Sequence, residues 1–276
     1  MIAIILIYTI YIIVYNVGMT LLAHLFGVRV EKFYIWMDTG FRIFKFKVKH
    51  TEYGLGWLPI GGYVRFAGML PDKDEEPAPY QFRAVSTLKQ VLIMAAGPVV
   101  CLIAGIVFYT VDSGKLSESF VITTLSVFFV ILIAGLLFRY LSNSLRKNIE
   151  NRSGGGSQVL VCYVFYAFIF LLICFYIHEQ TPFFNTFVAI IRGEIDFSNF
   201  TVHQGNFKHI CAFVGVGLFI MNMIPLGGLN GFKIVSSLYE HLTGCEMPEQ
   251  VAIIIGLIGI PFSITMYGLL LYHYFF

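Results

Sequence analysis

The chain has 276 residues, of which 58% are hydrophobic and 12% are charged. Soluble domains carry about 25% charged residues, and disordered chains combine low hydrophobicity with high net charge, so the composition excludes both and indicates a polytopic membrane protein. The formal net charge of +2 is too small to indicate a nucleic-acid-binding protein. The five cysteines form no CxxC pair, which argues against a disulfide framework and a zinc knuckle.

Apolar runs predict six membrane-spanning helices, because about 20 apolar residues cross a bilayer core of about 30 Å. The predicted spans cover residues 1–26, 88–111, 119–139, 158–178, 208–227 and 251–275. The first run has no basic segment before it and no cleavage site after it. We therefore interpret it as a retained helix rather than a signal peptide.

Residues 28–66 have a different pattern, in which aromatic and β-branched residues alternate with Lys and Arg. The segment FRIFKFKVKH (41–50) alternates with period two, which predicts a strand. An open β-hairpin has unpaired edge groups that cannot face lipid in the bilayer core. We expect the hairpin to lie at the membrane interface or against protein.

The distribution of basic residues predicts the topology. Ten of the 18 basic residues lie between Arg29 and Lys89, and a second cluster follows the third span. The positive-inside rule then places residues 28–87 and 140–157 on the inner side and both termini on the outer side. The segment SGGGS (153–157) fits either a flexible turn or an engineered linker.

Polar residues inside apolar segments are candidates for function, because they are costly to place in a membrane. Three asparagines lie in such segments: Asn16, Asn222 and Asn230. Pro225 interrupts the hydrogen bonds of its helix, so the surrounding segment is either a kinked span or a broken helix that lines a site. Composition favours the kinked span, and it favours tight helix packing for AAGPV (95–99).

Several enzyme and transport classes lack even a starting motif. The sequence contains no H-x-x-x-H pair, no GxSxG, no GxxxxGK[ST] and no GxGxxG, which argues against hydrolase, P-loop and dinucleotide-binding functions. The first, second and fifth predicted spans carry no Asp or Glu, which argues against a proton-coupled transporter.

The order of the remaining motifs resembles the site-2 protease family of intramembrane zinc metalloproteases, in its bacterial regulated-intramembrane-proteolysis branch. The motifs are GVRVEKFYI (27–35), TEYGLGWLPIGGYVRFAGM (51–69), QFRAVSTLKQVLIMAAGPVV (81–100), NMIPLGGLNG (222–231) and the amphipathic stretch at 191–205. The resemblance covers roughly residues 1–100 and 185–276. It implies an all-α bundle of about six transmembrane helices with a small membrane-reentrant β-hairpin, which would hold an extended substrate by strand addition.

The resemblance also implies that the catalytic residues are replaced. The family's H-E-x-x-H falls on Tyr15 to Met19, with Asn16 in place of the general base, and Asn230 stands where the family has an aspartate ligand. An amide has no basic carboxylate, and thioether and amide groups are poor zinc ligands. We therefore expect a pseudoprotease with no catalytic residues, no metal site and no zinc.

Three domains follow from this comparison. Residues 1–111 form an N-terminal half that resembles the family, and residues 185–276 form the C-terminal half. Residues 112–184 hold an inserted pair of transmembrane helices where the bacterial branch has PDZ domains.

The expected function is that of a catalytically inactive protein of the bacterial inner membrane. It would bind a transmembrane or extended segment of another membrane protein, as a scaffold, a chaperone or a subunit of an envelope complex. The expected binding residues are Gly61, Gly62, Tyr63, Asn222 and Pro225. One alternative is an atypical metalloprotease with relocated ligands, chosen from His24, His203 and His209, and another is a transporter or channel subunit.

Overall fold

The computed structural model describes residues 2–59, 61–69, 77–112, 156–180, 185, 188–189 and 204–275. The helices in these residues are α1 (Ile2–Leu25), α2 (Thr87–Asp112), α3 (Gly156–Gln180), α4 (Gln204–Met223), α5 (Asn230–Thr243) and α6 (Glu249–Phe275). The strands are β1 (Val30–Tyr34), β2 (Met37–Val48), β3 (Thr51–Leu58) and β4 (Tyr63–Phe66), and a 3₁₀ turn covers Phe82–Ala84.

Helices α1 and α2 are each long and apolar enough to cross a membrane, over Ile5–Leu25 and Thr87–Phe108. Helix α1 ends because Gly27 adopts the left-handed conformation at φ 79°. The amide of Gly27 donates to the carbonyl of His24, and the amide of Val28 donates to that of Ala23. These two hydrogen bonds satisfy the last carbonyls of the helix and turn the chain back toward α1.

Small residues let α1 and α2 approach closely. A Cβ atom on Gly97 would lie 2.9 Å from the carbonyl oxygen of Tyr15 and 3.0 Å from Cγ of Met19. A Cβ atom on Gly18 would lie 3.3 Å from the carbonyl oxygen of Ala96. The predicted role of AAGPV in tight helix packing is therefore confirmed, since Gly97 is its central residue.

The four strands form one mixed sheet in the order β2-β3-β1-β4. Strand β1 is parallel to β3 and antiparallel to β4, and β2 is antiparallel to β3. The period-two pattern of residues 41–50 correctly predicted a strand, because β2 contains most of that segment. Strands β1 and β4 contact α1, whereas β2 lies at the opposite edge of the sheet.

The predicted fold class of an all-α bundle with six spans is wrong. The structure contains a four-stranded mixed sheet rather than a small hairpin, and only two helices in its described part qualify as membrane spans. The predicted spans at 158–178 and 251–275 lie within helices, and that at 208–227 is helical up to Met223. Their described apolar parts are shorter, at Val159–Phe175, Ile210–Met223 and Glu249–Gly259. The predicted span at 119–139 lies outside the described residues.

The chemistry of proline explains one of these differences. Helix α4 ends at Met223, just before Pro225, and helix α5 begins at Asn230. Proline lacks an amide donor and disfavours helical backbone in the preceding residue, so one apolar run becomes a helix, a turn and a second helix. In the turn, the amide of Gly227 donates to the carbonyl of Ile255 at 3.3 Å.

The chain divides into two compact units, Met1–Leu102 and Ile103–Phe276. The first unit contains α1, the sheet and most of α2. In the second unit, the hydroxyl of Tyr166 on α3 donates to the carbonyl of Met223 at 2.6 Å, so α3 is attached to the end of α4.

Candidate functional site

A buried asparagine joins helix α1 to the sheet in the first unit. Asn16 is 0% exposed, and its Nδ2 atom donates to the carbonyl oxygen of Tyr34 at 2.9 Å. Within the described residues, its Oδ1 atom is buried without a hydrogen-bond partner. The amide therefore fixes β1 against the helix and still offers one buried acceptor, which is costly unless a donor reaches it.

Tyr34 connects this contact to the outer strands. Its ring lies against Gly54 of β3, where a Cβ atom would overlap with Cε1 of the ring. Its hydroxyl donates to Oε1 of Glu52 at 2.6 Å. Glu52 also lies 3.6 Å from the guanidinium of Arg42 and 3.7 Å from the ammonium of Lys45. These contacts hold β2, β3 and β1 together on one face of the sheet.

These contacts change the protonation behaviour of the two acidic groups. The hydrogen bond from Tyr34 is the main cause that lowers the pKa of Glu52, and Lys45 contributes through its charge. Burial is the main cause that raises the pKa of Tyr34, with a further contribution from the Glu52 carboxylate. Tyr34 is therefore a neutral donor and Glu52 an ionised acceptor near neutral pH.

The predicted binding residues Gly61, Gly62 and Tyr63 lie at the start of β4. A Cβ atom on Gly62 would be 2.6 Å from the carbonyl oxygen of Tyr34 and 3.0 Å from Nδ2 of Asn16, so only glycine fits here. The ring of Tyr63 stacks on that of Tyr34 with centroids 5.2 Å apart. Its hydroxyl donates to Oδ1 of Asp38 at 3.1 Å, and burial is the main cause that raises its pKa.

The other predicted site residues are distributed over both units. Tyr15 and Met19 are buried on α1, where Gly97 packs against them. Asn230 is the first residue of α5 in the second unit, so its proximity to α1 stays a prediction. Asn222 donates from Nδ2 to the carbonyl oxygen of Leu218 in its own helix at 2.9 Å.

Strand β2 is the exposed element of the first unit. All ten residues from Thr39 to Val48 are exposed, and β2 occupies an outer position in the sheet. Its beginning is tied to α1 through Trp36, whose Nε1 atom donates to Oγ1 of Thr9 at 3.2 Å. The sheet therefore extends alongside the candidate span with one long edge unpaired among the described strands.

The profile of peptidase family M50 matches residues 3–266, nearly the whole chain. The chain belongs to peptidase family M50. The resemblance to the site-2 protease family is thereby confirmed at the level of the family. M50 proteins are membrane proteases, so this membership and the two candidate spans of α1 and α2 agree on a lipid bilayer as the environment.

Three bacterial relatives of this M50 chain each bear the name "Putative zinc metalloprotease". The relative from Clostridium acetobutylicum is 36% identical over 100 residues, which are 36% of this chain and 28% of the relative. The relative from Thermotoga maritima is 38% identical over 107 residues, which are 38% of this chain and 21% of the relative. The relative from Clostridium perfringens is 38% identical over 86 residues, which are 31% and 24% of the two chains. The matches therefore span about a quarter of the relatives' length.

The family and the names of its relatives overturn four predictions. The expected inactive scaffold, the alternative of a transporter and the expectation that the chain is not an enzyme are contradicted, because the family and its named members are peptidases. The expectation that zinc is absent is contradicted as well, since zinc is the metal in the relatives' names. Those predictions gave the substituted side chains more weight than the match along the rest of the chain.

The side chains at the positions where the resemblance places the family's zinc ligands do not fit zinc. Tyr15 offers a single phenol oxygen, Met19 a thioether and Asn230 a neutral amide, whereas zinc prefers imidazole, thiolate and carboxylate ligands. In the described part of the chain, no group of three His, Cys, Asp or Glu residues could hold a metal. Of the alternative ligands, His24 is exposed at the end of α1, His203 lies outside the described residues, and the side chain of His209 is not described. We therefore derive no catalytic step through a metal at these positions.

The sequence did not reveal several residues that organise this site. Tyr34, Glu52 and the Trp36–Thr9 pair make contacts across 18 to 27 residues. Their only signal was that Glu52 is acidic within a basic segment, opposite a lysine in the register of β2 and β3. That signal indicates a cross-strand ion pair, but it does not identify the tyrosine.

Proposed function

We propose that the chain holds an extended segment of a membrane-associated polypeptide along the free edge of β2, as the substrate-holding part of an M50 peptidase. The observation that supports this proposal is the exposure of all ten residues from Thr39 to Val48 in an outer strand. The backbone N–H and C=O groups on the outer side of such a strand can pair with a second strand. Hydrolysis of the bound segment belongs to the proposal and rests on family membership.

A strand edge beside a bilayer can supply the hydrogen bonds that a transmembrane helix loses when it unwinds. A peptide bond in a transmembrane helix has both of its polar groups hydrogen-bonded, and unwinding the helix would leave each group unsatisfied at a cost of several kcal/mol. A strand edge beside the membrane span replaces those hydrogen bonds one by one. It therefore stabilises the extended form that a peptidase needs, without requiring a particular substrate sequence.

The remaining candidate residues have supporting roles in the proposal. Gly61, Gly62 and Tyr63 position the sheet on α1, because Gly62 allows the closest approach and Tyr63 stacks on the tyrosine of β1. We propose Asn222 and Pro225 as a second contact with the substrate, at the interruption between α4 and α5. The proposed location is the bacterial inner membrane with both termini outside, and residues 112–184 are proposed as an inserted pair of spans.

Proline substitutions can distinguish the role of the free edge of β2 from that of the edge that is hydrogen-bonded to β3. Neighbouring residues of a strand direct their N–H groups to opposite sides, so of Lys45→Pro and Phe46→Pro one removes a donor to β3 and the other removes a donor from the free edge. The variant that retains the fluorescence of Trp57, an exposed residue of β3, is the one altered at the free edge. Its partner variant is the matched control for hairpin disruption.

The test uses the full chain in proteoliposomes with a photo-reactive phenylalanine analogue in place of Phe44. The probe is a synthetic apolar peptide of about 20 residues with a β-branched centre and a fluorophore–quencher pair. We expect cross-linking to the probe and an increase in its fluorescence on cleavage, both reduced at least about tenfold by the free-edge proline. Absence of cross-linking would overturn the substrate-holding edge, and cross-linking without cleavage would overturn the proposed hydrolysis.

A further inference from the structure

The hairpin formed by β2 and β3 has an exposed aromatic face. Phe44 and Phe46 stack with centroids 6.3 Å apart, Phe46 stacks on Tyr53 at 5.5 Å, and Tyr53 contacts Phe33 at 5.7 Å. Phe44 and Phe46 are 52% and 54% exposed. Trp57 lies on the same face, because side chains two residues apart in a strand share a face. Exposed aromatic side chains that are grouped on one face mark a site of contact with a protein or a membrane.

The tip of the same hairpin is basic. The segment from residue 41 to residue 50 contains Arg42, Lys45, Lys47 and Lys49 and no acidic residue. Arg42 and Lys45 lie near Glu52, Lys47 is its register partner, and Lys49 lies in the turn, so four exposed basic residues share one carboxylate. The charge that remains at the tip is therefore positive, and it favours an anionic occupant.

Hydrogen bonds place this tip near one end of the candidate span α1. Thr51 starts β3 and donates from Oγ1 to the carbonyl oxygen of Val30 at 2.8 Å. Two residues earlier, Val28 is bonded to the last turn of α1. Asn16 contacts Tyr34 about 13 Å farther along the helix axis, at 1.5 Å per residue from Leu25. The strands therefore run back along the span from its C-terminal end, where the bilayer has its headgroups.

We propose that this hairpin binds an anionic phospholipid of the adjacent leaflet. Lys49 in the turn and Lys47, which lies on the face opposite the aromatic row, contact the phosphate groups at the level of the tip. The aromatic row from Phe44 to Trp57 contacts the acyl chains. Charge selects the headgroup, and the apolar face fixes the depth of the hairpin. This contact uses the tip and one face of the hairpin, so it leaves the outer edge of β2 available for pairing.

Trp57 provides a native reporter for this lipid. The chain contains two tryptophans, so the substitution Trp36→Phe leaves Trp57 as the only one. The full chain is reconstituted in vesicles of about four parts phosphatidylcholine and one part phosphatidylglycerol, near the anionic content that polybasic segments respond to. Mid-chain bromine atoms, which quench tryptophan on contact, are placed either on the phosphatidylglycerol or on an equal amount of the phosphatidylcholine.

We expect brominated phosphatidylglycerol to quench Trp57 about twofold more strongly than brominated phosphatidylcholine at low salt. The preference should disappear in the Lys47→Gln/Lys49→Gln variant and remain in the Lys47→Arg/Lys49→Arg variant, which keeps the charge. It should also weaken as ionic strength rises. Equal quenching by the two lipids in the parent protein would overturn the charge selectivity. No quenching by either lipid would show that protein covers this face and would overturn the proposal entirely.

Discussion

The two outer strands of the sheet, β4 and β2, differ in length and in exposure. Strand β4 has four residues, and its Phe66 is 0% exposed and stacks on Phe82 at 5.8 Å. Strand β2 has twelve residues, of which the last ten are all exposed. Proteins usually shorten, cover or charge their sheet edges to prevent pairing with other chains. Here one edge is short and packed on α1, whereas the other is long, exposed and basic over residues 41–48, and the proposed pairing uses this second edge.

The largest expected change in the free energy of unfolding comes from replacing one phenylalanine in each outer strand by alanine, which tests this contrast. Phe66→Ala should lower the free energy of unfolding by about 4 kcal/mol, because a fully buried aromatic side chain is replaced by a cavity. Phe46→Ala, with a side chain that is half exposed, should cost less than about 1 kcal/mol. Equilibrium unfolding of the detergent-solubilised chain, followed by tryptophan fluorescence, measures both. Equal losses would show that β2 is packed as tightly as β4.

Substitution of Asn16, which bonds β1 to α1, should have the next largest effect on the free energy of unfolding. Asn16→Leu removes the donor to the Tyr34 carbonyl oxygen and should cost about 1 kcal/mol, because the buried hydrogen bond between α1 and β1 is lost. The matched control is Thr20→Val, one turn along α1. The Thr20 hydroxyl is buried without a partner within the described residues, so its removal should be neutral or stabilising. A larger loss for Thr20→Val would reverse the assignment of the stabilising contact.

The Glu52 carboxylate on β3 should make the stability of the β2–β3 hairpin depend on pH in the acidic range. The hydrogen bond from Tyr34 lowers the pKa of Glu52 below its ordinary value of 4.5. The stabilisation that ionised Glu52 contributes is therefore complete above about pH 4.5. It is lost as the pH falls through the lower pKa that Glu52 has in the folded protein. We expect the fluorescence of Trp57 to change in that range, and we expect Glu52→Gln and Tyr34→Phe to remove that change. A transition that survives in both variants would have another origin.

The smallest predicted effect concerns the turn of the open hairpin. Lys49 adopts the left-handed conformation at φ 52°, which is unfavourable for a residue with a Cβ atom. Lys49→Gly should therefore raise the free energy of unfolding by about 0.5 kcal/mol. Lys47→Gly, within the strand, should lower it by about the same amount and serves as the matched control. Thermal unfolding measurements on the two variants should give shifts of opposite sign.

The sequence predicted the local parts of this structure better than the long-range parts. The apolar runs predicted α1 and α2, and the alternation of residues 41–50 predicted β2, because each pattern depends on neighbours in the chain. The parallel pairing of β1 with β3 was not predicted, because it depends on contacts between distant segments with no periodic signature. The partner of Asn16 was equally hidden, since a backbone carbonyl oxygen has no sequence identity.

The candidate site shows the same limit in its chemistry. Sequence reasoning identified Asn16, Tyr15 and Met19 as replacements and concluded that the protein is inactive, but family membership contradicts that conclusion. A substituted motif describes only the side chains at its own positions. The sheet beside them, with its ion pairs and open strand, became visible only when distant residues were brought together.

The hydrogen bond between Asn16 and Tyr34 also has a consequence for folding during synthesis. Strand β1 leaves the ribosome directly after α1, but its neighbour β4 ends at Phe66, 32 residues after Tyr34. At about 5–20 residues per second, β1 waits about 2–6 s for both of its neighbours. During that interval the amide of Asn16 is already available to the carbonyl oxygen of Tyr34. Through this hydrogen bond, helix α1 can hold β1 before either of the neighbouring strands is present.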